Sequence, residues 1–580
     1  MKHTTTSSLL ERRLVVGLAV LLLVLVVWVV AARHWFQVVY LLAALVLALG
    51  ATLLAAAWKQ GFRWFFTRRA LRFYAWLVVG LISVIVLFYT EESWRGKRAW
   101  AALQREAAAH GESLDIASIT PPALSEAQNF AQAPGVASLL GYGSAPSEGA
   151  GHSNPFYHGT REQWPAGSWA LQQATDLEAW QHFCRRHPSD PSRRTPPGVD
   201  RLFPTAAPAQ APAADVLLAL SRFQTNLATL RAASPRPQTR FPIDYTQGFW
   251  AMDRPDQLAM EALYAAAHLL SLRASAELAQ NQSQAALEDV LLGWRLADGL
   301  RQEPFYMAHD YRAQMAMFCL QPIWEGLAAH RWNASQLAVL QDRLGALDWV
   351  SDFRQPARGE SLMLMDLADQ FLAYQHHQPS LMKQQMVGND RGERFGFWLV
   401  SVLYPTGWLY QDKVWIYRFY QQHDHPLKTL RLDAASASKR HSEFRLIADP
   451  MFLILVNPRL QHVFSESGEK ALFLHTACQE AQAACALERF RLAHGQYPDA
   501  LEALVPALLP QVPCDVLAPG TAPLRYCRTA EGGFQLYSVG RNQVDDHGQP
   551  SPLHKNWRGV SDLFPRLTQG DWVWRQPGQS

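Results

Sequence analysis

The sequence predicts a membrane-anchored α+β protein. It would have N-terminal transmembrane helices, a large irregular all-α domain and a small C-terminal module of one helix on an antiparallel sheet. Three observations predict it. Uncharged apolar runs crowd the first ninety residues, apolar residues recur at helical spacing from Asp215 onward, and a short alternating pattern broken by Gly532-Gly533 lies near the C-terminus. At 580 residues the chain exceeds one ordinary core. Shifts in composition divide it into 1–92, a transmembrane region; 93–214, a proline-rich juxtamembrane segment; 215–468, the all-α domain; and 469–580, the C-terminal module. Hydrophobic residues make up 49% and charged ones only 18%, which excludes a largely disordered chain. Lys+Arg 53 against Asp+Glu 50 leaves no basic field for nucleic acid.

Three runs are long enough to cross a bilayer: Leu14 to Ala32, Phe36 to Trp58 and Phe73 to Thr90. Aromatic residues edge them, among them Trp35, Trp58, Trp64, Trp76 and Tyr89, as at a membrane interface. A cleaved signal peptide is the alternative for the first run, with Val30-Ala31-Ala32 as its end. That run, however, is longer than the usual apolar region of a signal, and two more runs follow. Lys2, Arg12 and Arg13 precede the first run, and Lys59, Arg63, Arg68, Arg69 and Arg72 lie between the second and third. The positive-inside rule then sets the N-terminus in the cytoplasm and everything after about residue 91 outside it, in a multi-pass topology whose partner is the lipid bilayer.

Glu91 to His110 reads as a helix that Gly111 stops. Prolines from Pro121 to Pro212 then disfavour regular helix through most of this segment, leaving short helices such as Ala174 to Arg186, where Leu177, Trp180 and Phe183 share a face. Helical spacing resumes over 215–232, 256–280, 283–301, 309–330 and 335–347, with Ser335 as the expected N-cap of the last. The pair 263–279 and 284–301 looks like one tetratricopeptide hairpin, but no 34-residue recurrence follows, so the reading is an irregular all-α domain. The apolar stretches 395–404 and 451–456 are too short to span and read as core, with contact at the membrane surface as the alternative. A helix from Lys470 to His494 ends at Gly495, and strands 524–528 and 534–539 flank the Gly532-Gly533 turn as a hairpin.

From that helix onward the order "ALERFRLAHGQYP", "LEALVP", "VPCD", "LRY" and "LYSVGRNQVDDHG" resembles the head of type II secretion pseudopilins of the major, G type, over about residues 475–550. The resemblance implies a helix packed on a small antiparallel sheet outside the bacterial cytoplasmic membrane, and calcium bound in the last loop at Asp545 and Asp546. The chain departs from the family in lacking its processing site ahead of an N-terminal hydrophobic helix. It also carries Asp515-Val516 where Asp-Pro is usual and His547 where Gly is common. It thus reads as a reuse of the head rather than a pilin subunit. The remainder resembles uncharacterised bacterial membrane proteins, which implies no activity.

Six cysteines fall in the exported region, where disulfides are permitted. Cys478 and Cys485 share a helical face about 10 Å apart, too far to bond one another, and read as packing residues. Cys514 and Cys527 flank one turn of the sheet module and are the candidate disulfide. His376-His377 and His423-Asp424-His425 lack metal-site spacing and read as solvated. No nucleophile elbow, phosphate loop or dinucleotide motif appears, and the 21 tryptophans read as core. The leading expectation is a non-enzymatic scaffold or interaction protein of the envelope, linked to envelope or secretion assembly and with a protein partner there. An envelope enzyme without a visible motif and a ligand sensor coupled to the spans are the alternatives.

Overall fold

The computed structural model describes residues 67–142, 156, 167–186, 203–251, 254–376, 394, 398, 401–429, 451–518, 522–550, 564 and 569–575. The expected first and second spans lie outside the described residues, as does His377. The chain is mostly helical, with a small three-stranded antiparallel sheet. In order, the main elements are α1 (Arg68–Ala109), α2 (Leu177–Arg186), α3 (Pro212–Leu220), α4 (Gln224–Ala233), α5 (Arg254–Ala279), α6 (Ser283–Asp298), α7 (Tyr306–Ala328), α8 (Ala334–Gly345), α9 (Arg354–Gln375), α10 (Thr406–Thr429), α11 (Met451–His494), β1 (Arg525–Arg528), β2 (Phe534–Ser538) and β3 (Trp572–Arg575).

Two compact units emerge. One comprises 1–101, 403–412 and 435–458; the other comprises 102–402, 413–434 and 459–580. In the first, the expected third span and the expected helix after it are one continuous α1, with no Gly or Pro between Leu81 and Arg95 to break it. The helix stops at Gly111, whose φ of 70° lets the Glu112 N–H turn back to the Ala107 carbonyl.

In the second unit α5 and α6 pair across a short joint at Asn281-Gln282, and α7 packs on both. Alanines make this close packing feasible: Ala259, Ala262, Ala266 and Ala274 of α5 are buried together with Leu263, Leu269 and Leu270. The core is aromatic as expected. Trp180, Trp294, Trp324, Trp349 and Trp574 are among the largest fully buried side chains. One charged network also lies inside. Arg312 is 1% exposed, stacks on Trp349 at 4.2 Å and donates to Asp352 at 2.8 Å, while Asp298 accepts from Arg343 at 2.6 Å. The N-cap of α8 is a correction. Asn333, not Ser335, caps it, through a reciprocal box with Gln336, and the Ser335 hydroxyl only donates to the Asn333 side chain at 2.6 Å.

α11 is the spine of the C-terminal part. It begins nineteen positions before the expected Lys470, so the stretch 451–456 forms its first turns rather than a separate segment. The strands pair in the order β1-β2-β3, with Tyr526 opposite Leu536 and Leu536 opposite Trp574. β3 was not expected from the sequence. The module is joined to the helices before it: Trp169 stacks on Phe473 at 5.8 Å, and Trp324 donates to the Arg575 carbonyl at 2.7 Å. Residues expected in separate domains therefore lie within one unit.

Candidate functional site

The first unit holds the most distinctive local chemistry. Between Phe73 and Thr90, α1 carries no Asp, Glu, Lys or Arg, and many of its apolar residues are exposed, Trp76 at 75%, Val86 at 56% and Leu87 at 68% among them. None of its most apolar eighteen residues is buried. The serine and threonine hydroxyls in this stretch are satisfied within the helix, Ser83 donating to the Val79 carbonyl at 2.8 Å and Thr90 to that of Val86 at 2.7 Å. That matters wherever water is absent.

Just past this stretch comes the first acid to be buried, Glu92, at 9% exposure. Its partners come from the segment 403–412. Pro405 disfavours helix at Tyr404, so α10 begins afresh at Thr406 and presents Trp408 and Gln411 from its opening turns. Trp408 Nε1 and Gln411 Nε2 donate to Glu92 Oε2 at 3.0 and 2.9 Å, and Arg95 donates to Oε1 at 3.0 Å. A carboxylate beside the start of a helix also meets its positive dipole end. The backbones touch because both contact positions are glycine: a Cβ on Gly96 would overlap the Gly407 carbonyl, and one on Gly407 would overlap that of Glu92. Trp408 packs edge-on against Phe88 and Tyr404. Deeper still, the Tyr404 hydroxyl donates to Asp412 at 2.7 Å, and burial pushes that carboxyl up to about 8. This arrangement grips and orients; it offers no nucleophile beside a base.

The sequence had drawn attention instead to the C-terminal loop. Asp545 Oδ1 accepts from the His547 N–H at 3.0 Å and the Tyr537 hydroxyl at 3.1 Å, and Oδ2 from Arg525 at 3.4 Å. Burial works to raise this carboxyl, but those three donors together hold it below the usual carboxylate range. Asp546 Oδ2 accepts from Asn542 at 2.9 Å. Asp571, which the sequence reading passed over, accepts from the N–H groups of Asp546 and Gly548 and anchors the loop from behind. Among the described residues no group of three or more His, Cys, Asp or Glu is placed to hold a metal ion. The carboxylates are engaged by donors, so the donor set does not fit calcium as it stands. Cys514 and Cys527 are exposed free thiols, with Cys514 Sγ 3.8 Å from the Val512 carbonyl and Cys527 Sγ 3.8 Å from Gln535 Oε1. Cys478 and Cys485 are buried.

The head-like motif is accounted for by packing. Glu488 accepts from Arg491, from Tyr497 at 2.6 Å and from His330 of the α7–α8 joint at 2.8 Å, fastening the end of α11. Asp515 accepts from Ser538 and from the Leu517 and Val539 N–H groups, tying the "VPCD" loop to the end of β2. A cavity of about 30 Å³ beside Trp180, His268 and Gln321 has room for a water molecule, far short of the several hundred Å³ of a ligand pocket. Comparisons with protein-family models, curated proteins and solved structures find no match.

Proposed function

We propose that this chain is a non-enzymatic membrane-anchored protein of the bacterial inner membrane, with its N-terminus in the cytoplasm and the region after about residue 91 extracytoplasmic. That region serves as a scaffold for protein contacts in envelope or secretion assembly. The observation that carries the anchor is the apolar stretch of α1, of whose most apolar eighteen residues none is buried. Its exposed tryptophans, Trp76 and Trp94, are eighteen positions apart, about 27 Å along a helix, against about 30 Å of hydrocarbon. Basic residues lie beyond both, Arg68, Arg69 and Arg72 on one side and Arg95, Lys97 and Arg98 on the other. The scaffold reading draws on the helix-on-sheet module fused to a helical body. It also draws on the use of the buried acids Glu488 and Asp515 as packing ties.

Alkaline carbonate extraction of membranes tests the anchor: the full chain stays in the pellet. A reporter active only in the cytoplasm, fused after Ser580, tests the orientation and stays silent. Release into the supernatant defeats the anchor, and an active reporter defeats the topology.

A further inference from the structure

We propose that Leu403, held on α1 by the Glu92 grip, is a second membrane contact: an apolar wedge that enters the acyl-chain boundary of the extracytoplasmic leaflet. The proposal rests on the reading of α1 as a span and goes beyond it by adding the end of a second helical segment, 401–403, to the lipid-facing surface.

The depth follows from the geometry. Tyr89 donates to the Leu403 carbonyl at 2.7 Å, so Leu403 sits at the level of Tyr89 on α1. Tyr89 is five positions before Trp94, about 7.5 Å toward the middle of the apolar stretch. If Trp94 marks the interface, Leu403 lies on its hydrocarbon side. Its side chain is 58% exposed, and Val402 before it in the chain is 53% exposed, an unfavourable arrangement in water for two neighbouring aliphatic residues.

The polar groups nearby are arranged for a dry setting. The Leu403 carbonyl has the Tyr89 hydroxyl, the Glu92 carboxylate has three donors, and the Tyr404 hydroxyl has Asp412. Each is a group that lipid would otherwise leave unsatisfied. The paired glycines bring the two backbones close enough for the donors to reach, as small residues do between helices in membranes. Phospholipid is the occupant because Leu403 is bonded through its carbonyl to Tyr89, within the same apolar stretch of α1 whose Val86 and Leu87 are exposed.

The full-length protein in vesicles of phosphatidylethanolamine and phosphatidylglycerol tests this. The background carries Cys514→Ser and Cys527→Ser, which removes the two exposed thiols and leaves four buried ones. An environment-sensitive fluorophore is attached at Leu403→Cys, at Ile82→Cys within α1, or at Val339→Cys on the exposed face of α8. The Leu403 label is expected to be quenched by lipids carrying a shallow nitroxide and to be several-fold less sensitive to aqueous iodide than the Val339 label. The Ile82 label responds to a deeper nitroxide. A Leu403 label open to iodide beside a shielded Ile82 label overturns the wedge and keeps the span. Labels open to iodide at both positions overturn the span reading itself. A Leu403 label shielded from iodide yet untouched by lipid nitroxides means that protein covers it, and that also overturns the wedge.

Discussion

α1 and α11 are nearly equal in length, 42 and 44 residues, yet they solve opposite problems. From Ala471 to Leu487, α11 buries residues all around its circumference, among them Ala471, Phe473, Ala477, Ala481, Ala484 and Leu487, each at 3% exposure or less. Alanine and cysteine keep it slim enough for neighbours to approach, and its buried Glu488 is fastened to Arg491, Tyr497 and His330. α1 presents Val, Ile, Leu and Trp outward over a comparable length, and its ties to the segment 403–412 gather at the far end of that stretch, at Tyr89 and Glu92. Apolar character alone therefore does not separate a core helix from a span. Side-chain size and the spacing of polar ties do.

The same charge placed in each helix should break that comparison most severely. Ala484 is 0% exposed, and Ala484→Asp buries an unpaired carboxylate, costing about 3–5 kcal/mol and abolishing a cooperative melt followed by circular dichroism in detergent. Ile82→Asp should move that melt by less than about 0.5 kcal/mol, as a substitution on an exposed face does. Its effect should fall on retention in the membrane, by roughly 2.5–3.5 kcal/mol at the centre of a span. Equal damage to the melt from both would make α1 a core helix.

The two grips sharpen the contrast at smaller magnitude. Glu488→Ala strands Arg491, Tyr497 and His330 at once and should cost about 2 kcal/mol in thermal unfolding. Glu92→Gln keeps an acceptor for Trp408 and Gln411, and should cost under about 1 kcal/mol. A larger loss at Glu92 than at Glu488 would make the Glu92 grip the stronger of the two.

Much of the helical body was legible because its periodicity is long and uninterrupted. The expected 256–280 and 283–301 became Arg254–Ala279 and Ser283–Asp298, and the hairpin fell within a residue of its strands. What escaped was what depends on partners distant in sequence. α9 carries Pro356 and Gly359 near its start, which look like breakers in sequence. In the structure Gly359 lies against the Pro304 backbone, where a side chain would overlap it. β3 is four residues long and acquires meaning only by pairing with β2. The run 395–404, read as core with membrane-surface contact as the alternative, buries Ser401 and Tyr404 but exposes Trp398, Val402 and Leu403. Glu92 looked like one more polar residue after a span, because Trp408 and Gln411 are more than three hundred positions away.

Two buried groups, one in each unit, should also differ in the sign of their pH response. Burial, with Arg312 and Lys470 nearby, lowers the His309 pKa to about 3, below an unfolded value near 6.5. Its contribution is complete above about 6.5 and is lost as pH falls toward 3. Asp412 runs the other way. Its folded value of about 8 exceeds an unfolded value near 3.9, so its contribution is full below about 3.9 and is lost as pH rises through 8. His309→Gln should shallow the acid limb of the melting temperature against pH, and Asp412→Asn the alkaline limb. Limbs unchanged in both variants would refute this assignment.

The smallest expected effect is the absence of one, and it bears on the C-terminal loop. A calcium site needs six or more oxygens turned toward one point. Here Asp545 faces an arginine, a tyrosine hydroxyl and a backbone N–H, and Asp546 faces an amide N–H. Asp571 is raised by burial and then by its two neighbouring carboxylates, yet two backbone N–H groups already occupy it. A cation would have to displace these donors before the repulsion it relieves could be repaid. Millimolar calcium should therefore leave the melting temperature of the full-length protein unchanged, and Asp546→Asn should melt within about 0.5 kcal/mol of the parent. Asp571→Asn should cost more, because it weakens the acceptor that anchors the loop through Gly548. A calcium-dependent rise of the size expected at a hundredfold excess over Kd, about 2.7 kcal/mol, that Asp545→Ala removes would restore the calcium reading implied by the resemblance. It would also mean that the loop rearranges on binding.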